Sequence, residues 1–152
     1  MKPAEKRNEL FVYRAPPAFV GIFYAFLVAW TIVSLVFLWP KATRGAVPLA
    51  QLGMIGFVLA YTWYFSLGIC YEVFIGEHGK MEMKSFRRVL RIPLDDVSAV
   101  EGPRFALLPY GFLRFRLTRE KAYVFCHITS EDVRRLLSTM KRVNKKMEMK
   151  GI

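Results

Sequence analysis

The sequence predicts a membrane α-helical hairpin joined to a small cytoplasmic α+β domain, in which an antiparallel β barrel or sheet is capped by a carboxy-terminal amphipathic helix. Three observations carry this. The chain is 54% hydrophobic yet has a formal net charge of +11, so its apolar and charged residues must be segregated. No Asp, Glu, Lys or Arg occurs over 15–40 or 45–71, and 17 of the 23 Lys and Arg follow Tyr71. Beyond Tyr71, apolar blocks give way to short alternating runs and then to one stretch of helical period.

The uncharged runs read APPAFVGIFYAFLVAWTIVSLVFLWP and GAVPLAQLGMIGFVLAYTWYFSLGICY. Each exceeds the roughly 20 residues that cross about 30 Å of hydrocarbon, and spanning helices are predicted over about 17–39 and 48–70. A soluble domain would have to wrap both helices with the remaining residues, which are too few. A signal peptide has a shorter apolar core and a small-residue cleavage site, whereas the first run ends in LWP. Pro16, Pro17 and Pro48 suit first helical turns, where a missing N–H costs nothing. Tyr13 and Trp39 sit where amphipathic rings favour a membrane interface. The short link KATRGAVP makes the hairpin antiparallel, with both termini on one side. Lys2, Lys6, Arg7 and Arg14 precede it and a basic cluster follows it, while the link holds only Lys41 and Arg44. Positive charge collects inside, so both termini are placed in the cytoplasm, where Cys70 and Cys126 are expected as free thiols.

From Tyr71 the period becomes two. YEVFI and MEMKSF flank the Gly-rich turn GEHGK, a hairpin signal. RRVLRI, VSAVEG, YGFLRFRL and KAYVFCHI bring the count to six strands. In IPLDD, Pro93 cannot donate to a ladder and Asp95 and Asp96 suit a turn, so the segment is a corner. TSEDVRRLLSTMKRVNKKMEM places Val133, Leu136, Leu137, Met140, Val143 and Met147 at helical spacing. Thr129 or Ser130 caps it, with Glu131 and Asp132 at the positive end of the dipole. The organisation predicted is 1–14 as a cytoplasmic segment, 15–70 as the hairpin, 71–146 as the β domain with its helix, and 147–152 as a basic tail.

No catalytic constellation is legible. His78 and His127 lack partners at a recognisable spacing, and the two cysteines make no metal site. The chain is therefore expected to be no enzyme and to hold no metal or cofactor. Two clusters remain. Lys80, Lys84, Arg87, Arg88 and Arg91 lie just past the second span, where each cation near an anionic leaflet contributes about 1 kcal/mol. They are the candidate lipid-binding residues, against the plainer reading that they only enforce orientation. Gly21, Ala25 and Ala29 form one small-residue stripe, Gly56 and Ala60 another. Such stripes admit close helix approach, either between the two helices or onto a membrane partner. Thr31, Ser34, Gln51, Thr62 and Ser66 are mild polar groups for interhelical bonds.

The succession of strand, Gly turn, strand, RRVLRIPLDDVSAVEG, ALLPYGFLRFRLT, strand and TSEDVRRLL resembles the bacterial pleckstrin-homology-like domain. IPLDDV at 92–97 is similar to that family's strand-to-strand link, and LLPYGFLRFRL at 107–117 to the strand entry that follows it. The plan also resembles small proteobacterial membrane proteins of unknown function. The resemblance spans about 70–143. It implies a bacterial inner-membrane setting and a partly open, seven-stranded barrel plugged by its last helix, but no single activity. With six strands legible, a seventh is sought around GPRFALLP. The expectation is an accessory or scaffold subunit of a larger membrane complex. Sensing of anionic lipid, or service in a transporter or enzyme whose active residues sit on a partner, are the alternatives. Its partners would be the bilayer and either another membrane protein or a second copy; no nucleic-acid reading motif is present.

Overall fold

A computed structural model describes residues 9–43, 45, 48–102 and 109–151. The chain forms two compact units, one of Pro17–Leu67 and the other of the segments on either side of it.

The first unit is a pair of helices, α1 (Pro17–Thr43) and α2 (Leu49–Ser66). Over Pro17–Pro40 the mean hydropathy is 2.3, and over Leu49–Ser66 it is 1.2, with 6% of each stretch buried. Both are long and apolar enough to cross a membrane. A soluble core helix would be mostly buried, whereas here Phe26, Phe37 and Trp39 are each at least 70% exposed. Half-buried and buried positions recur at Val20, Tyr24, Leu27, Thr31 and Ser34 on α1, and at Leu52, Ile55, Leu59, Trp63 and Ser66 on α2. This three-and-four spacing is one stripe per helix. Two bonds cross it: Trp63 Nε1 donates to Thr31 Oγ1 at 3.0 Å, and the Tyr24 hydroxyl donates to the Ser66 carbonyl at 2.7 Å. Thr62 instead donates to Val58 in its own helix.

The second unit is α+β. Its strands are β1 (Glu9–Arg14), β2 (Cys70–Gly76), β3 (Lys80–Ser85), β4 (Val89–Pro93), β5 (Val97–Glu101), β6 (Tyr110–Leu117), β7 (Lys121–His127) and β8 (Glu148–Lys150). Helix α3 (Glu131–Val143) follows β7. The six strands read from the sequence are β2–β7. Together with β1 they form two antiparallel meanders, β1–β4 and β5–β7, joined by one parallel bridge, Cys70↔Val124. The Tyr13 hydroxyl reinforces that corner, donating to the buried Phe125 carbonyl at 3.0 Å. Alternation puts Val73, Ile75, Met81, Met83, Leu113, Phe115, Val124 and Cys126 inside, where Val133, Leu136, Leu137 and Met140 of α3 join them.

Several expectations are corrected. The sheet is mixed, because β8 also lies parallel to β5, and β4 and β8 stand at its two ends. The extra strands lie at the chain's extremities. Residues 9–14 are no mere flank, since they pair with β2 from Arg14↔Glu72 to Glu9↔Gly76. Part of the tail, 148–150, adds to β5. Most of GPRFALLP lies outside the described residues. Helix α3 stops at Val143, where Asn144 leaves helical geometry. Met147 is buried nonetheless, beyond the helix rather than on its stripe. Ser130 is the cap, accepting from Val133 N–H at 3.3 Å. IPLDD is the expected corner, closed by a short 3-10 turn at Leu94–Asp96.

Candidate functional site

Strand register decides which predicted basic residues share a face. Across the outer face of β1–β4 runs the row Arg14, Glu72, Lys84, Val89, and beside it the row Val12, Phe74, Glu82, Arg91. Lys80 opposite Pro93 begins a third.

Acidic residues are interleaved with the cations. Glu72 accepts from Lys84 Nζ at 2.7 Å and from Arg14 Nε at 2.9 Å. The Lys84 bond is the larger cause that holds this carboxyl below its ordinary value, against the opposing effect of burial. Glu82 accepts from Arg91 Nε at 3.0 Å. Arg88 bonds Glu120 at 2.5 Å, tying the β3–β4 turn to the start of β7. Of the predicted lipid-binding residues, Lys84, Arg88 and Arg91 thus each face a carboxylate partner. Lys80 and Arg91 remain well exposed on the outer face. Arg87 and Arg88 sit elsewhere, in a turn closed by Ser85 N–H donating to the Arg88 carbonyl at 2.9 Å. The five do not form one continuous basic surface.

That turn carries Phe86, which is 58% exposed with its ring 4.9 Å from Tyr71. Sequence reasoning missed Phe86, Arg14, Glu72 and Glu120. Counting residues outward from the GEHGK turn sets Glu72 opposite Lys84, so that pair was within reach. Arg14 and Glu120 were not, because their partners are 58 and 32 residues away.

A groove of about 430 Å³ opens along β3 and β4, lined by Phe74, Lys80, Met81, Glu82, Arg91, Ile92 and Pro93. A wider basin of about 860 Å³ lies where α3 ends, bordered by Ser98, Arg116, Asn144, Lys145, Lys146 and Glu148. Among the described residues, no three of His, Cys, Asp and Glu converge as a metal site would require. His78 is in the exposed β2–β3 turn, and His127 packs edge-on against Tyr110. Asp95 and Asp96 are exposed on the 3-10 turn. Cys70 and Cys126 are free and buried, and burial pushes both thiols up to about 11.

In the helical unit, Gly21, Ala25, Ala29, Gly56 and Ala60 are all exposed. A Cβ built on Gly21 or Gly56 meets nothing within 4 Å. The stripes therefore do not pack the two helices together; larger side chains and the Trp63 and Tyr24 bonds form that seam. No protein-family model matches the chain, no curated protein matches it, and no solved structure matches it.

Proposed function

We propose that the chain is a bacterial inner-membrane protein with both termini in the cytoplasm, serving as a non-enzymatic accessory or scaffold subunit of a larger membrane complex. The observation that carries this reading is the outward position of the small-residue stripes. In lipid, apolar side chains give helices no net drive to associate, and close backbone approach at small residues supplies packing instead. A stripe left open by its own hairpin suits a third helix. Among the described residues, the seven strands that precede α3 equal the number the pleckstrin-homology resemblance calls for, with the hairpin inserted after the first, and this supports a domain of that type.

The test is to purify the full chain from its native membrane in a gentle detergent and identify co-migrating proteins by mass spectrometry. A stoichiometric membrane partner, lost on Ala25→Leu with Ala29→Leu, is expected. Recovery of this chain alone at several detergent strengths would remove the reading.

A second reading, contact with anionic lipid, is favoured by the Ser85–Arg88 turn alone. Exposed Phe86 stands beside Arg87 and Arg88, and the turn ladders to Cys70, four positions after the last residue of α2. Enriched anionic lipid in the purified chain, reduced by Arg87→Gln, is the expected result there.

A further inference from the structure

We propose that the free edge of β4 receives an acidic, extended segment of a partner protein as an added antiparallel strand. This rests on the accessory-subunit reading and gives its cytoplasmic contact a place and a chemistry.

The edge is built by register. Strand β4 ends the sheet order, with β3 as its neighbour. The Arg88 carbonyl and the Leu94 N–H both point at β3, bonding Ser85 and Gly79. Backbone direction alternates along an antiparallel strand, so Leu90 and Ile92 also face β3. Val89, Arg91 and Pro93 then turn their backbone groups outward. Two N–H donors, of Val89 and Arg91, and three carbonyls stand on that edge without a strand opposite them among the described residues. An added strand pairing at Arg91 would use all five. The missing N–H of Pro93 costs one bond at the end of the ladder rather than in its middle.

The side chains select what binds. Arg91 is 74% exposed at its side chain and pairs with Glu82, the one acid among the residues that line the groove. Lys80, exposed on the same groove, adds a second cation. Two cations against one carboxylate leave room for another acid directly opposite Arg91. Opposite charges facing each other across strands are favourable and like charges are not. A second copy is thereby disfavoured, since antiparallel pairing centred on Arg91 sets Arg91 against Arg91. An uncharged strand gains nothing from the cation, and an exposed charge and a proline are devices that blunt an edge against indiscriminate pairing. Positions two residues either side of the acid meet Val89, which is 49% exposed, and Pro93. Those positions should be apolar, and the one beside Pro93 reaches the groove that Pro93 and Phe74 line.

The experiment uses the full chain in detergent with a synthetic probe, acetyl-Thr-Val-Thr-Glu-Thr-Val-Thr-amide. Hydrogen exchange is followed at single amides. The expected result is saturable binding that slows exchange at Val89 and Arg91 while leaving Leu90 and Ile92, already bonded to β3, unchanged. Replacing the central Glu of the probe by Lys should weaken binding about tenfold, and Arg91→Glu should invert that preference. Methylating the backbone nitrogen of the central Glu should abolish binding with the protein untouched, which keeps the test independent of how well the variant folds. Binding without protection at these two amides, binding indifferent to the central charge, or no protection at millimolar probe would each overturn the proposal. If the probe binds but no membrane partner co-purifies, the accessory reading fails and the edge site stands. If a partner co-purifies and the probe fails, the contact lies elsewhere and the edge proposal is lost.

Discussion

Replacing Asn144 by Ala should loosen the β domain more than any other single polar change. Its side chain is buried, with the residue only 7% exposed. Nδ2 donates to the carbonyls of Leu94 at 3.0 Å and Val97 at 3.1 Å, and Oδ1 accepts from Lys146 N–H at 3.1 Å. One amide thus pins the end of α3 to the 3-10 turn and to the start of β5. Alanine strands all three partners, two of them carbonyls of fully buried residues. At about 1 kcal/mol for each lost bond, the domain loses about 3 kcal/mol. Cys126 reports the loss directly, because it is inaccessible in β7 until the core opens. In full-length protein, alkylation of the peptide containing Cys126 is timed by mass spectrometry. Where opening is a rapid pre-equilibrium, the labelling rate tracks the opening free energy, so Asn144→Ala should label roughly 100-fold faster. Lys145→Ala, at an exposed neighbour, serves as the control. A rate for Asn144→Ala within a few-fold of the parent would refute the reasoning that this side chain holds the three segments together.

Three other outcomes are expected. Glu72→Gln should lower stability at neutral pH by roughly 1 kcal/mol, the scale of a partly exposed ion pair. Because the folded carboxyl is held below its ordinary value of 4.5, the difference should be complete above that pH and vanish as pH falls through the lowered value; melts across acid pH would contradict this if the gap persisted. Tyr13→Phe removes the donor from the buried Phe125 carbonyl and should cost about 1–2 kcal/mol, read as faster hydrogen exchange in β1 first. Trp63→Phe breaks the bond to Thr31, and since such interhelical bonds average about 0.6 kcal/mol, helix dissociation in denaturing detergent should shift only slightly; a loss several times larger would mean the seam depends on that bond.

What could be read in the sequence followed from local signals. Strands β2 and β3 flank a Gly turn, IPLDD marks a corner, and α3 announces itself by cap, period and charge. Most of the missed parts depend on distant residues. Residues 9–14 have strand character, but their partner lies across the entire hairpin at Glu72, so no turn signals the pairing. The segment 148–150, Glu-Met-Lys, is exposed on all three residues, so its strand state comes only from the β5 edge beside it. Met147 keeps the helical spacing of the α3 stripe and is buried, but the backbone reaches it through the Asn144 corner. The small-residue stripes were visible, yet spacing alone does not say which face meets the neighbouring helix. Packing of Leu27 and the Trp63–Thr31 bond decide that, and they leave Gly21 and Gly56 facing outward. The basic cluster was likewise visible as composition, while the pairing of Lys84, Arg91 and Arg88 with Glu72, Glu82 and Glu120 depends on register and on contacts between distant segments.

The central claim is that the open stripe on α1 meets another membrane protein. A photo-crosslinking residue at position 25 in the full chain, activated in intact native membranes, tests it most directly, with position 37 on the same helix as the comparison. The account predicts a discrete adduct with a second protein from position 25 and lipid adducts alone from position 37. Lipid adducts alone from both positions, or adducts only with further copies of this chain, would contradict it.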